Sequence, residues 1–188
     1  MSQGWAAGVR HPGRTGKVVY ALGAVILVLA AITALSGSGK PAKSTQLPRV
    51  AKSFSLPELG HPGHTISLAS LPDQPVIVNF FASWCGPCKR ETPMLANFYS
   101  RHAGNVIVIG IDANDSQSAA LRFMRSAGVK YPVGYDPFPA PTTTSYGVYA
   151  LPQTFFLNAS HRIVKHVVGP VTSQELAAGV ELANKERG

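Results

Sequence analysis

The run PVIVNFFA (75–82) passes without a break into SWCGPCKRETP (83–93), and this junction constrains the fold more than any other stretch. A near-continuous apolar octet is what a strand buried on both faces requires. A strand covered on both faces needs a packing layer on each side, which points to an α/β architecture. A helix is expected directly after it, from about Gly86 to Arg101. Pro87 fits the first turn of such a helix, where a missing N–H costs nothing. Both cysteines of the chain, Cys85 and Cys88, fall at that helix start.

The remaining pattern supports the same class. FSLPEL and HTISLASL are expected to form short strands around the turn HPGH, and NVIVIGID (105–112) a second buried strand. Ser116 to Ala127 is expected to be a helix capped by Asp115 or Ser116. YPVGYDPFPAPTTTSYGVYALP, rich in Pro and Thr, is expected to be mostly loop. TFFLN and RIVKHVVG make a hairpin, and SQELAAGVELANKE closes the chain as an amphipathic helix. The order strand, helix, strand, helix, strand, strand, helix predicts an α/β sandwich around a central sheet.

Charge divides the chain. Residues 1–50 hold six basic and no acidic side chains, whereas the remainder holds 11 basic against 9 acidic. The basic excess therefore belongs to a leader, and no basic stripe with interleaved aromatics follows it, so nucleic acid is not an expected partner. Val18 to Leu35 is an uncharged stretch of 18 residues, about 27 Å long as a helix and close to bilayer thickness. Arg10, Arg14 and Lys17 precede it, which places residues 1–17 in the cytoplasm, 18–35 in the membrane, and the rest outside. A cleaved signal sequence is the alternative, and it sends the domain to the same side. Residues 36–52 have a tether's composition, so the folded domain is expected over 53–188.

Cysteines separated by two residues admit three readings. A structural bridge this short removes little unfolded-state entropy, and zinc would need further ligands at matching spacing. A pair that opens and closes is the third. Cys85 at a helix N-terminus meets unpaired N–H groups and the positive end of the macrodipole, which favour a thiolate. Cys88, one turn inward, is expected to be less exposed. No metal site is expected at His61 and His64, which flank a Pro-Gly turn, or at His161 and His166, five apart on a hairpin.

FFASWCGPCKRETP with Pro93, YGVYALPQTFFLN, and the FSLPEL…ISLASL extension together resemble the thioredoxin superfamily. The resemblance covers Ser53 to about Asn184 and is specific to the membrane-tethered TlpA/ResA/CcmG (DsbE)-like thiol–disulfide oxidoreductases. It implies a thioredoxin-like fold, a central mixed sheet flanked by helices, with an N-terminal extension behind one transmembrane helix. It implies Cys85 as nucleophile, Cys88 as resolving thiol, and no cofactor beyond that redox-active pair. Trp84, Gly86, Pro87 and Leu151 would support the site, and Pro152 would match the family's cis-proline. Asn79 stands where thioredoxins usually carry a buried acid, so Cys88 would rely on water or on Glu91 for proton transfer. Glu91, beside Lys89 and Arg90, otherwise reads as a solvated helix charge.

Direction of electron flow turns on thiolate stability. Gly-Pro between the cysteines offers no imidazole to stabilise Cys85, and no long helical insertion is present, so a reductant is expected. The resemblance implies extracytoplasmic protein thiols or disulfides as clients, such as apocytochrome c in cytochrome c biogenesis, and an integral membrane thiol carrier as electron donor. A disulfide-forming oxidase of secreted proteins is the first alternative. A module holding copper(I) through soft thiolates is the second.

Overall fold

The computed structural model describes residues 49–186. The expected tail 1–17, the expected anchor 18–35 and most of the expected tether 36–52 lie outside the described residues. Among those described, no helix is long and apolar enough to cross a membrane.

Eight strands and four α-helices follow in the order β1 (Arg49–Val50), β2 (Ser55–Pro57), β3 (Thr65–Ser67), β4 (Val76–Phe81), α1 (Gly86–His102), β5 (Ile107–Ala113), α2 (Gln117–Ser126), β6 (Val133–Asp136), α3 (Pro141–Ser145), β7 (Gln153–Leu157), β8 (Arg162–Val168) and α4 (Ser173–Lys185). A single 3-10 turn, Leu68–Ser70, follows β3. Six strands form one sheet in the order β1-β8-β7-β4-β5-β6, and β2 and β3 form a separate hairpin. The β4, β5 and β6 strands run parallel, whereas β7, β8 and β1 are added antiparallel. The sheet is therefore mixed, with β4 near its centre and buried at every residue, as its unbroken apolar run requires.

Alternation along β4 divides the core into two. Ile77 and Phe81 face a cluster with Leu95 of α1, Ala120 of α2 and Leu176 of α4. Val78 and Phe80 face the other side, against Leu56 and Ile66 of the hairpin and Tyr146 and Val148 after α3. Phe80, Tyr146 and Phe155 form a mutual aromatic group there, with ring centroids 5.1–5.6 Å apart, the spacing at which tilted and edge-to-face pairs are favourable. Two glycines allow layers to meet: a Cβ at Gly134 would stand 2.9 Å from Leu56, and one at Gly179 of α4 would stand 2.3 Å from the Phe156 ring.

Three expectations need correction. The Pro/Thr-rich stretch is not mostly loop, because it contains β6 and α3. Asp136 at the end of β6 accepts hydrogen bonds from Thr142 N, Thr143 N and Thr143 Oγ1 (3.3, 2.7 and 2.6 Å), so the cap of α3 comes from a preceding strand. Ser116 is the N-cap residue of α2, as expected, but neither it nor Asp115 makes a side-chain bond to the first turn; Asp115 reaches instead to Ser83 N and Ser116 N. Arg49 and Val50, read in sequence as tether, pair with Ile163 and Arg162 at the edge of the sheet. By contrast, α4 starts as its sequence promises, with a reciprocal capping box between Thr172 and Glu175.

Candidate active site

At the C-terminal end of β4 the chain leaves the sheet through Ala82, Ser83 and Trp84 and turns into α1 at Cys85. Cys85 is the N-cap, with extended backbone (φ −77°, ψ 110°), and its Sγ accepts a hydrogen bond from Cys88 N at 3.2 Å. A sulfur thus occupies the place normally taken by a Ser or Asp oxygen, where free helix N–H groups converge. Cys85 and Cys88 are joined in a disulfide, with Cα atoms 5.2 Å apart. Cys85 is 5% exposed and Cys88 is 0% exposed, so an external sulfur can approach only Cys85. Gly86 is exposed and has open space where a side chain would project, and Pro87 lies within the first turn.

Beneath the pair is a buried polar group. Glu91, one turn beyond Cys88, is only 3% exposed, which corrects the reading of it as a solvated helix charge. Its Oε1 accepts from Asn79 Nδ2 at 2.7 Å and its Oε2 from Val171 N at 2.5 Å. Asn79 Nδ2 also donates to Thr154 Oγ1 at 3.0 Å, while Asn79 Oδ1 has no partner among the described residues. Burial pushes the Glu91 carboxyl up from its ordinary range; the Val171 amide and Asn79 oppose this, and Glu175 adds to it. Glu91, expected to serve proton transfer, and Asn79, in the place of the usual buried acid, are therefore hydrogen-bonded partners. Sequence already held the signal. Glu91 follows Cys88 by three positions, which puts both on one helix face, and Asn79 alternates with Ile77 and Phe81 toward that helix.

The opposite wall comes from β7. Its antiparallel register pairs Gln153 with Phe80, so Pro152 and Leu151 continue alongside Phe81 and Ala82, at the level where the redox loop begins. The Leu151–Pro152 peptide is cis, in line with the cis-proline expected from the resemblance. Leu151 packs against the cluster that contains both cysteines. Trp84 is 58% exposed, and its Nε1 donates to Asn114 O at 3.1 Å. Beyond it opens a cleft of about 390 Å³ lined by Trp84, Phe138, Tyr149, Val148 and Leu151, with no charged side chain in its lining. Phe138 (82% exposed) and Tyr149 (89%) escaped sequence reasoning because they lie in the stretch taken as loop.

The model of one known family, Redoxin, matches residues 42–180. The chain belongs to the redoxin family. It is 33% identical over 160 residues to the thiol:disulfide interchange protein DsbE of Allochromatium vinosum, covering 84% of this chain and 87% of that protein. It is 36% identical over 111 residues to the thiol-disulfide oxidoreductase ResA of Bacillus subtilis, covering 58% of this chain and 62% of that relative, just under two thirds of its length. Among solved structures, a secreted thiol-disulfide isomerase from Corynebacterium glutamicum superposes with a TM-score of 0.65 at 26% identity, covering 76% of this chain and 95% of that one. The fold is thioredoxin-like, and this redoxin is a thiol–disulfide oxidoreductase of the ResA/DsbE kind.

Proposed function

We propose that this redoxin reduces disulfides of protein clients outside the cytoplasm, tethered to the membrane by residues 18–35. The observation that carries the reading is the asymmetry of the pair: Cys85 caps the helix and is the sulfur a partner can reach, while Cys88 is sealed beneath it. In the reduced protein, the Cys85 thiolate attacks one client sulfur, and the other client sulfur leaves as thiolate. A mixed disulfide between Cys85 and the client results. The Cys88 thiolate then attacks Cys85 Sγ, the second client thiolate is released, and the pair ends oxidised, as in the structure. Two electrons pass to the client, and a dithiol donor in the membrane restores the reduced pair.

Proton transfer falls to Glu91, which Asn79 holds in place by donating to its Oε1. Cys88 must lose its proton before it attacks, and a carboxyl held above its usual range is better matched to accept it near neutral pH than an ordinary glutamate. The uncharged, aromatic-edged cleft beside Trp84 suits an extended client segment carrying a disulfide, such as the cysteine motif of apocytochrome c, rather than a small charged thiol.

The test is the potential of the Cys85–Cys88 couple in glutathione buffers. Gly86 and Pro87 supply no imidazole to stabilise the thiolate, so the expected value lies below about −180 mV, where protein disulfide isomerase is poised. A value well above that overturns the reductant reading in favour of a disulfide-forming oxidase. Cys85→Ser should abolish exchange, and Cys88→Ser should accumulate the mixed disulfide with client.

A further inference from the structure

Asp112, the penultimate residue of β5, is wholly buried, and no donor among the described residues hydrogen-bonds either of its carboxyl oxygens. An ionised carboxylate in that condition is strongly disfavoured, so the group holds a proton. The group that its side chain meets is the carboxylate of Asp115, three residues on, which can accept a hydrogen bond but not donate one. Asp115 is already committed to the redox loop: its Oδ2 accepts from Ser83 N at 2.6 Å and its Oδ1 from Ser116 N at 2.7 Å. Its backbone oxygen accepts from Tyr135 Oη at 3.0 Å. Asn114 between them adopts a left-handed conformation (φ 53°) and offers its carbonyl to the Trp84 indole. The segment Asp112–Asp115 therefore grips both residues that precede Cys85.

We infer that Asp112 is a positioning residue which, as a neutral acid, donates a hydrogen bond to Asp115 and so holds the Ser83–Trp84 loop, and with it Cys85, in place. The inference goes beyond the proposed reaction, because it concerns how the loop is held in either redox state. Burial first, and Asp115 second, push the Asp112 carboxyl up to about 8. Above that pH a second negative charge would face Asp115 inside the protein and drive it from Ser83. The surroundings offer little compensation. Across the register, β4 presents Phe81 and β6 presents Tyr135, and the Cys85–Cys88 disulfide of α1 does not titrate. Lys89 of α1 and Arg122 of α2 are exposed and line an outer cleft with Ser83.

The experiment follows the indole ¹H–¹⁵N resonance of Trp84 in the oxidised full-length chain from pH 6 to 10, with Trp5→Phe identifying the signal. A sigmoidal step with a midpoint near 8 is expected. Asp112→Asn, which can still donate to Asp115, should keep the resonance at its acid position and remove the step. Asp115→Asn, which removes the facing charge, should move the midpoint down. No step in the parent chain, or a step that persists unmoved in either variant, overturns the inference. Should Asp112→Asn fail to fold, the parent and Asp115→Asn decide alone. Because the protein is oxidised and no client is present, this result is independent of the potential that tests the proposed function.

Discussion

At the scale of single residues, the site depends on two contacts of one buried amide that look unremarkable in sequence. Asn79 satisfies Glu91 with one N–H and Thr154 with the other. In Asn79→Asp, a buried carboxylate would lose a donor and gain a like charge, a penalty of about 2–4 kcal/mol at pH 8. Both carboxyl groups would then titrate above their unfolded values in the native state. Stability is kept at low pH and lost as pH rises through those folded values, so the deficit in urea unfolding should shrink at pH 5. An equal deficit at both pH values would show that the Asn79–Glu91 contact is not electrostatic in origin. The cysteine pair was legible from spacing and position alone, since strand, helix start and sulfur placement each follow from local rules. The burial of Glu91 was not, because Val171, which covers its second oxygen, lies 80 residues away.

At the scale of elements, the regular strands and long helices were legible wherever the apolar period was uninterrupted. The β4–α1–β5–α2 succession and the β7–β8 hairpin match their expected positions to within a few residues. The failure at β6 and α3 has a physical cause. Strand β6 is four residues long and contains a glycine chosen for the approach of Leu56, while α3 is five residues of Pro, Thr and Ser. Its N-cap is Ala140, with left-handed backbone and no side-chain cap, and Asp136 supplies the missing acceptors. Asp136→Ala would leave the buried Thr142 and Thr143 amides without those acceptors, so a loss of about 2–4 kcal/mol is expected from denaturant unfolding. Because α3 borders the cleft beside Trp84, the same variant should weaken client exchange more than exchange with a small thiol.

Over the whole molecule, the titrations combine into a pH dependence of unusual sign for a basic protein. Asp112, raised to about 8, holds a proton in the native chain that the unfolded chain has released, and Glu91, raised by burial, acts in the same sense. Stability therefore falls as pH rises from 6.5 toward 8 and levels off once Asp112 has ionised. His166, lowered chiefly by burial, acts in the opposite sense but only below its ordinary range. Urea midpoints at pH 6.5, 8 and 9 should decline in that order, and Asp112→Asn should flatten most of the decline. The sheet also works as a partition. Both sulfurs and their acid share one side with α1, α2 and α4, while the hairpin and the Phe80–Tyr146–Phe155 group fill the other. A substitution within the hairpin can thus change what that face meets while leaving the sulfurs and their acid, across the sheet, untouched.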